Sequence, residues 1–262
     1  RGRVPADRER DGERANPGPG PRRGPEGLTV ALFRLLGPAN LWTASATALT
    51  ASSAALALPA AASRNSDRSY VWRSDNLIDN QILTVDLGSS QAVTAVAVVN
   101  VKLQGGAAGS VRLQQGGTAA TPGAWTTVAT LPAQDADRRL AYAFFGSVSA
   151  RHWRLEWVNG APTIADTAEV GFVFLGVYVE LVPLPPTTIV DVDPSIRRSS
   201  VDGQLTHASR TAYQTGEFTF RLMSESDLTI LRDLRRTLGS RTPFFCVLDT
   251  TVAWQAWLLR FA

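Results

Sequence analysis

The sequence is poor in the residue types that build catalytic and metal sites. It holds 1 Cys and 2 His in 262 residues, so it has neither the cysteines for an intrachain disulfide nor a Cys/His metal set. The single thiol, Cys246, lies in an apolar run, which is typical of a buried structural cysteine. No nucleophile elbow, phosphate-binding loop or recognisable carboxylate pair is present. The sequence therefore predicts a protein that is not an enzyme and needs no cofactor.

Lysine is almost absent, because Lys102 is the only Lys among 26 basic residues. The net charge is +3, and seven of the Arg residues lie within the first 27 positions beside five acidic ones. The remainder of the chain is close to neutral, and it contains no cluster of basic residues interleaved with aromatics. We therefore expect no nucleic acid among the partners.

Long uninterrupted hydrophobic segments are also missing. Residues 35–63 carry no charge, but Pro38, Pro59, Asn40 and many Ser and Thr interrupt them, which argues against a membrane span. A signal peptide is disfavoured because the leader would exceed 60 residues and Arg34 would divide its apolar part. We expect instead a first strand over residues 28–36, followed by an extended Ala/Ser segment lying over a β domain.

What the sequence does contain is alternation with a period of two. From Arg151 to Trp157 the odd positions are apolar and the even positions polar, and residues 81–87 behave alike. Such alternation predicts strands with one buried face. Residues 92–101 are apolar on both faces and rich in Val, which predicts a strand covered on both sides. The fold class predicted is mainly β, an antiparallel β-sandwich jelly roll followed by a small α+β domain.

Composition changes divide the chain into three parts. Residues 1–27 are rich in Arg, Pro and Gly and poor in large apolar residues, so alone they are predicted to be a disordered arm or an assembly arm. Residues 28–182 carry the strand patterns of the sandwich. The Pro-rich stretch that follows indicates an extended connection into a β-β-α-β-β domain at residues 183–262.

One helix is predicted in that last part. Ser224 is a suitable N-cap, and Gly239 is a suitable terminator. Two buried stripes fit its spacing, and the sequence leaves both open: Leu228, Leu231 and Leu234, or Ile230, Leu234 and Leu238.

Five motifs follow each other within about residues 40–182, in the order WRSDN, ILTVDLGSSQAVTAVAVV, AWTTVATL, SARHWRLEW and EVGFVFLGVYVEL. By this order the central part of the chain resembles galactose-binding-like domains of the discoidin, or F5/8 type C-like, kind. The resemblance implies an eight-stranded antiparallel sandwich whose loops at one end bind sugars or lipids in some members and serve as spacers in others.

A sugar site needs exposed aromatic rings and fixed polar groups. The candidate carbohydrate-binding residues are Tyr70, Trp72 and Trp125, with Trp42 as a further aromatic; core packing is the competing interpretation for each Trp. The loop from residue 65 to residue 80 also holds oxygens that could bind calcium, with Asp75 and Asp79 as the weak candidates. Turn formation by the same Asx residues is the stronger alternative. No other metal site is expected.

The last part of the chain carries a second pattern, formed by Arg210, Phe218–Phe220, Ser226–Asp227, Leu231, Leu234, Gly239 and Pro243. With this pattern the chain resembles bacteriophage tail proteins in which a galactose-binding-like domain precedes a small α+β segment. This resemblance implies a symmetric ring or sleeve, with other tail proteins as partners and the virion as the location. The apolar C-terminal run predicts a strand that is paired or covered, and its candidate assembly residues are Trp254, Trp257, Leu259 and Phe261. The leading hypothesis is thus a virion structural protein of the tail or tail tip. The alternative is a carbohydrate-binding module or surface adhesin that binds a host glycan.

Overall fold

The structure is a computed structural model that describes residues 33–36, 39–44, 48–66, 70–76, 79–104, 109–131, 139–161, 166–181, 184–192, 196–199, 205–208, 213–219, 224–240, 242–247 and 256–260. For most of residues 184–219, and for residues 256–258, it describes the backbone alone. The chain divides into two compact units, residues 1–30 and 31–262. The predicted arm at residues 1–27 lies outside the described residues.

Strands dominate the second unit. In chain order they are β1 (Phe33–Leu36), β2 (Ala48–Ala51), β3 (Trp72–Arg73), β4 (Gln81–Val99), β5 (Ser110–Gln115), β6 (Thr126–Leu131), β7 (Leu140–Val158), β8 (Glu169–Val170), β9 (Phe172–Gly176), β10 (Tyr178–Leu181), β11 (Leu184–Val192), β12 (Ile196–Ser199), β13 (Leu205–Ala208), β14 (Tyr213–Thr219), β15 (Phe244–Val247) and β16 (Ala256–Leu259). A 3-10 helix covers Ala60–Arg64, and the α-helix α1 covers Glu225–Leu238.

The two longest strands, β4 and β7, belong to both halves of a sandwich. The first half of β4 and the second half of β7 lie in an array ordered β2-β4-β7-β5-β6, while the remaining halves pair with each other and β4 also pairs with β9. A register shift between Asp86 and Gln91 separates the halves. Gly88 lies within this shift with a φ of 78°, a conformation that strains other residues.

Both halves of β4 contribute side chains to one core. Val85 precedes the register shift and Val96 follows it, yet the two belong to the same cluster of buried residues. The two arrays therefore face each other across a shared interior, as the sheets of a sandwich do. The predicted fold class, a mainly β antiparallel sandwich, is confirmed.

The second half of β4 is covered on both faces, as its composition predicts. Val96 and Val98 belong to the sandwich core, whereas Ala97 and Val99 belong to a second cluster that also contains Phe245 of β15. A further sheet lies over the sandwich on this side.

That further sheet has the strand order β10-β1-β15-β16. Leu36 of β1 pairs with Phe245 of β15, so residues near the beginning and the end of the described chain are hydrogen-bonded neighbours. The sheet contains strands from both sides of the predicted domain boundary between residues 182 and 183. The boundary itself stays a prediction.

Helix α1 follows the predicted bounds. The Ser224 hydroxyl accepts a hydrogen bond of 3.1 Å from the Asp227 amide, and Gly239 ends the helix with a φ of 56°. Leu234 and Leu238 are buried in a cluster with β1 and β15, while Leu228 is 40% exposed. Of the two predicted stripes, the one that contains Leu238 is therefore the buried one.

The Pro-rich stretch after residue 183, which is predicted to be an extended connection, forms strand β11. β11 pairs with β14, and β12 pairs with β13. Pairing along β11 is irregular between Leu184 and Thr188, where Pro185 and Pro186 have no N–H to donate. Because proline is unfavourable within strands, these two residues argue against a strand when the sequence is considered alone.

The uncharged stretch from residue 35 to 63 contributes parts of β1, β2 and the 3-10 helix where it is described. Within the described part of the chain, no helix is both long enough and apolar enough to cross a membrane.

Candidate functional site

The structure separates the predicted sugar-binding aromatics by their burial. Trp72 is fully buried, donates a 3.0 Å hydrogen bond from its indole to the Ser53 carbonyl, and lies 5.0 Å from Trp157 between ring centroids. Trp42 is also fully buried and donates to the Ser63 hydroxyl. Neither indole offers a free face to a sugar ring, so we withdraw both from the candidates.

Tyr70 is 55% exposed and lies two residues before β3. Strand β3 pairs with β8, with Arg73 opposite Glu169. This pairing carries the segment that contains Tyr70 to the end of the sandwich where β4 finishes and β7 begins. Tyr70 stays a candidate for stacking on a sugar.

A network of charged side chains is fixed at this end. Glu169 is buried, and its carboxylate oxygens lie 2.8 Å from the Arg73 guanidinium and 3.7 Å from that of Arg139. Lys102 Nζ lies 2.7 Å from the Asp166 carboxylate and donates to the Thr167 hydroxyl. We call Arg73, Lys102, Arg139, Asp166 and Glu169 the loop-end cluster.

The backbone holds the loop-end cluster in place. Lys102 and Glu169 exchange two backbone hydrogen bonds, and the buried Gln104 side chain donates to the Asp79 and Asp166 carbonyls. Arg73 and Arg139 keep 43% and 47% of their side chains exposed, so their donors are both positioned and accessible. Fixed polar groups of this kind suit the hydroxyls of a sugar.

The weak calcium candidates lie near this end. The Asp79 carboxylate accepts a hydrogen bond of 2.9 Å from the Asn76 amide group, and the Asp79 N–H donates to the Asn76 side-chain oxygen. This reciprocal bonding spans three residues and holds both side chains in a local turn. Among the described residues, no three His, Cys, Asp or Glu side chains are grouped so that they could hold a metal ion. Calcium binding by Asp75 and Asp79 stays a prediction.

Trp125 lies on a different part of the surface. Arg154 of β7 points away from the core, because its neighbours Trp153 and Leu155 are both fully buried, and its guanidinium carbon lies 4.4 Å from the centroid of the Trp125 ring. Trp72 contacts Trp157, which belongs to the inward-facing residues of the same strand. Trp72 and Trp125 therefore lie on opposite faces of the sheet.

The loop that carries Trp125 is anchored by His152. The Gly116 N–H donates to the His152 carbonyl, and the imidazole Nε2 lies 3.1 and 3.0 Å from the carbonyl oxygens of Ala119 and Ala120. Carbonyl oxygens only accept, so Nε2 carries the hydrogen and donates it. The loop is thereby held against β7.

Beside His152, Asp86 and Arg151 form a two-pronged ion pair. Its hydrogen bonds are 2.7 and 2.8 Å long. The hydrogen bonds from Arg151 lower the pKa of Asp86 well below its usual range, with smaller contributions from the Gly88 N–H and from His152. The same contact raises the pKa of Arg151. Each charge of this pair is neutralised by the other.

The predicted assembly residues are only partly described. Leu259 is half-buried against the cluster formed by β1, β15 and α1, and Trp257 pairs with Cys246 through the backbone. The side chain of Trp257, and the whole of Trp254 and Phe261, lie outside the described residues. Their role in assembly stays a prediction.

Sequence reasoning missed the loop-end cluster and Arg154. A signal for Glu169 was present, since it is a single acidic residue inside an apolar run. Its partners Arg73 and Arg139 come from distant parts of the chain: the pairing of β3 with β8 brings Arg73 opposite Glu169, and Arg139 directly precedes β7, where its carbonyl accepts a hydrogen bond from the Val101 N–H.

Comparison with known proteins points to one family. Residues 63–155 match the model of the NedA-like, galactose-binding domain family. Chitosan-binding module 1 of a chitosanase/glucanase from Paenibacillus sp. IK-5 is 25% identical at a TM-score of 0.41, and the match covers 49% of this chain and 93% of that one.

Two further solved structures are similar over about half of this chain. The family 32 CBM of Clostridium perfringens NanJ, solved with galactose, is 15% identical at a TM-score of 0.40, with 56% of this chain and 99% of that chain covered. A GH29 fucosidase from Ruminococcus gnavus is 10% identical at a TM-score of 0.42, with 54% and 27% covered. Comparison with curated proteins found no match.

The match to the family model includes β3, β4, β5, β6 and the part of β7 that ends at Leu155. It agrees with the resemblance inferred from the order of the motifs. This chain contains a galactose-binding-like domain.

Proposed function

We propose that this protein is a carbohydrate-binding module, and that the sugar binds at the loop end of the sandwich. The observation that carries the proposal is the match to a galactose-binding domain family over residues 63–155, a range that includes Tyr70, Arg73, Lys102 and Arg139. The proposal assigns binding to this domain and no catalysis.

The geometry supports the proposal in two ways. Tyr70 has an exposed ring, and a sugar ring gains contact area by lying against an aromatic face. The guanidinium groups of Arg73 and Arg139 are held by one buried carboxylate, Glu169, so they can donate to sugar hydroxyls without a further loss of side-chain freedom.

A binding measurement with one substitution tests the proposal. The protein is first screened against a broad set of immobilised glycans, and the best neutral, galactose-containing ligand is then titrated by calorimetry. We expect Tyr70→Ala to weaken binding by about tenfold or more, since an aromatic stacking contact contributes on the order of 1 kcal/mol or more.

Leu228→Ala is the matched control, because Leu228 is also an exposed hydrophobic residue but lies on α1. It should leave the affinity unchanged. The proposal would be contradicted if the protein bound none of the glycans, or if wild type and Tyr70→Ala bound the ligand with equal affinity.

The finer prediction, a tail or tail-tip component of a bacteriophage that assembles with copies of itself, stays a prediction from the sequence. Its support is the resemblance described above, together with the apolar C-terminal run. Light scattering followed by electron microscopy of the purified chain tests it, and a ring or tube of defined stoichiometry is the expected result.

A further inference from the structure

The outer face of the five-strand array carries a second set of fixed polar groups, away from the loop end. Register places Arg154 of β7 between Thr84 of β4 and Gln114 of β5, and Gln114 lies beside Thr127 of β6. Arg112 lies two residues before Gln114 on the same strand face. We call Arg112, Gln114, Trp125, Thr127 and Arg154 the outer-face patch.

Arg154 is held on two sides within this patch. Its Nε donates a 2.5 Å hydrogen bond to the Gln114 side-chain oxygen, and the Gln114 amide in turn donates to the Thr127 hydroxyl at 3.1 Å. Its guanidinium also stacks on Trp125, with 4.4 Å between the guanidinium carbon and the ring centroid. The orientation of the group is therefore set before any ligand arrives.

The charge of Arg154 is not neutralised in the way that the charge of Arg151 is. Arg151 has the Asp86 carboxylate at 2.7 Å, whereas no carboxylate among the described residues lies within ion-pair distance of Arg154. Glu156 acts on it only through longer-range attraction, and burial lowers the pKa of Arg154. A partly buried cation without a paired anion is energetically unfavourable, so an anionic ligand would gain from it.

The free donors of Arg154 have a defined shape. Because Nε is hydrogen-bonded to Gln114, the two terminal nitrogens Nη1 and Nη2 are the donors left for a ligand. Neither has a hydrogen-bond partner among the described residues. Two parallel N–H groups match the two oxygens of a carboxylate. The partly exposed Trp125 ring lies directly beside them.

We propose that the outer-face patch is a second binding site, which takes the carboxylate of a uronic acid unit in an acidic oligosaccharide. Nη1 and Nη2 of Arg154 donate to the carboxylate, and the sugar ring lies against the exposed part of Trp125. The choice of a sugar as the carrier of the carboxylate rests on the proposed function. Arg112 on the same face lies opposite Glu156 in the register, so these two charges offset each other and Arg154 is the cation that faces the ligand.

Calorimetric titration with trigalacturonate and with the neutral galactose trimer tests the proposal on the full-length chain. Wild type should bind trigalacturonate more tightly than the neutral trimer at this site. Arg154→Gln should weaken trigalacturonate binding by about tenfold or more, since it removes a charge-assisted two-pronged contact.

Arg112→Gln is the matched control, because it removes the same charge from the same face without touching the Trp125 stack. It should change the affinity by no more than about twofold, as expected for an exposed, screened charge. Equal losses in both variants would show general electrostatic attraction and overturn the proposal.

Arg154→Lys keeps the charge and serves as the second variant, with thermal melting to show that both variants are folded. It should also lose most of the affinity, because an ammonium group cannot make the paired contact. Full affinity in Arg154→Lys would overturn the proposal, and so would equal binding of triglutamate, a peptide of the same charge.

The proposal of a sugar site at the loop end and the proposal of a second site at the outer-face patch can be contradicted independently of each other. Tyr70→Ala should leave trigalacturonate binding intact, and Arg154→Gln should leave binding of the neutral ligand at the loop end intact. Loss of trigalacturonate binding in Tyr70→Ala would assign the acidic sugar to the loop end and overturn the second site alone.

Discussion

Asp86 and Arg151 show what a single ion pair adds to this sandwich. The carboxylate follows the inward-facing Val85 on β4, the guanidinium comes from β7, and both side chains are about one quarter exposed. The pair bridges the two long strands next to the register shift at Gly88, where backbone pairing is interrupted. Side-chain contacts there replace missing ladder hydrogen bonds.

This pair should make stability depend on pH in a defined window. The pKa of Asp86 is lower in the folded chain than the value of about 3.9 expected when unfolded. As the pH falls, the unfolded chain therefore binds more protons than the folded chain, and the folded chain loses stability. The stabilisation is complete above about pH 4 and is lost as the pH falls through the folded pKa. Urea unfolding of wild type and Asp86→Asn should therefore differ at pH 7, with the difference shrinking below about pH 4.

Asp75→Asn is the control for that experiment, since Asp75 is an exposed carboxylate on the same part of the chain. The unfolding free energy of this variant should stay close to that of wild type at pH 7, because the side chain is exposed. A difference between wild type and Asp86→Asn that stays constant from pH 7 to pH 3 would contradict the assignment.

Single residues also mark the limit of prediction from sequence. The alternation around Trp153 correctly placed Arg154 in the solvent-facing set, but its bond to Gln114 depends on the register between β7 and β5. Trp72 and Trp125 each follow an apolar residue and precede a polar one, so the local sequence does not distinguish them. Only the path of the chain puts the indole of Trp72 against Ser53, 19 residues earlier, and leaves Trp125 at the surface.

At the scale of elements, α1 covers the outer side of the sheet that contains β1 and β15. Leu234 is 1% exposed and packs among Phe33, Leu35 and Phe244, whereas Leu228 lies two turns away and is 40% exposed. The helix therefore contacts the sheet through its second half.

Substitution of these two leucines should separate packing from helix propensity. Leu234→Ala should lower the free energy of unfolding by about 2–5 kcal/mol, because it leaves a cavity under the helix. Leu228→Ala should change it by less than about 0.5 kcal/mol, as for an exposed surface position. Urea unfolding monitored by circular dichroism gives both values, and equal losses would show that the helix packs through a different face.

The helix and its cap could be predicted because their signals are local. Ser224, Asp227 and Gly239 lie within one short segment, and each acts on the backbone next to it. Strand β11 could not be predicted, since Pro185 and Pro186 argue locally against a strand and its partner β14 lies more than 20 residues further on.

At the scale of the whole molecule, the described unit is layered. Helix α1, the sheet with β1 and β15, and the two arrays of the sandwich follow each other, with a buried cluster between each pair of layers. Phe245 is fully buried between the outer sheet and the sandwich, where it lies near Phe174 and Tyr142. Each buried cluster thus contains side chains from two adjacent layers.

Phe245→Ala should therefore destabilise the sandwich as well as the outer sheet. We expect a loss of about 3–5 kcal/mol in one cooperative transition, the usual cost of removing a buried aromatic ring. Val177→Ala, at a position 50% exposed, is the control and should have little effect. Two separate transitions, with only one shifted in Phe245→Ala, would instead support independent domains divided near residue 182.

The pairing of β1 with β15 also determines when this fold can be completed during synthesis. When the ribosome has made β9, the apolar face of Ala97, Val99 and Phe174 exists, but its cover in β15 does not. The 67 residues from Val177 to Pro243 must first be translated, which takes about 3–13 seconds at 5–20 residues per second. For that interval the nascent chain presents an uncovered sheet face, which makes it a natural client for chaperones at the ribosome exit.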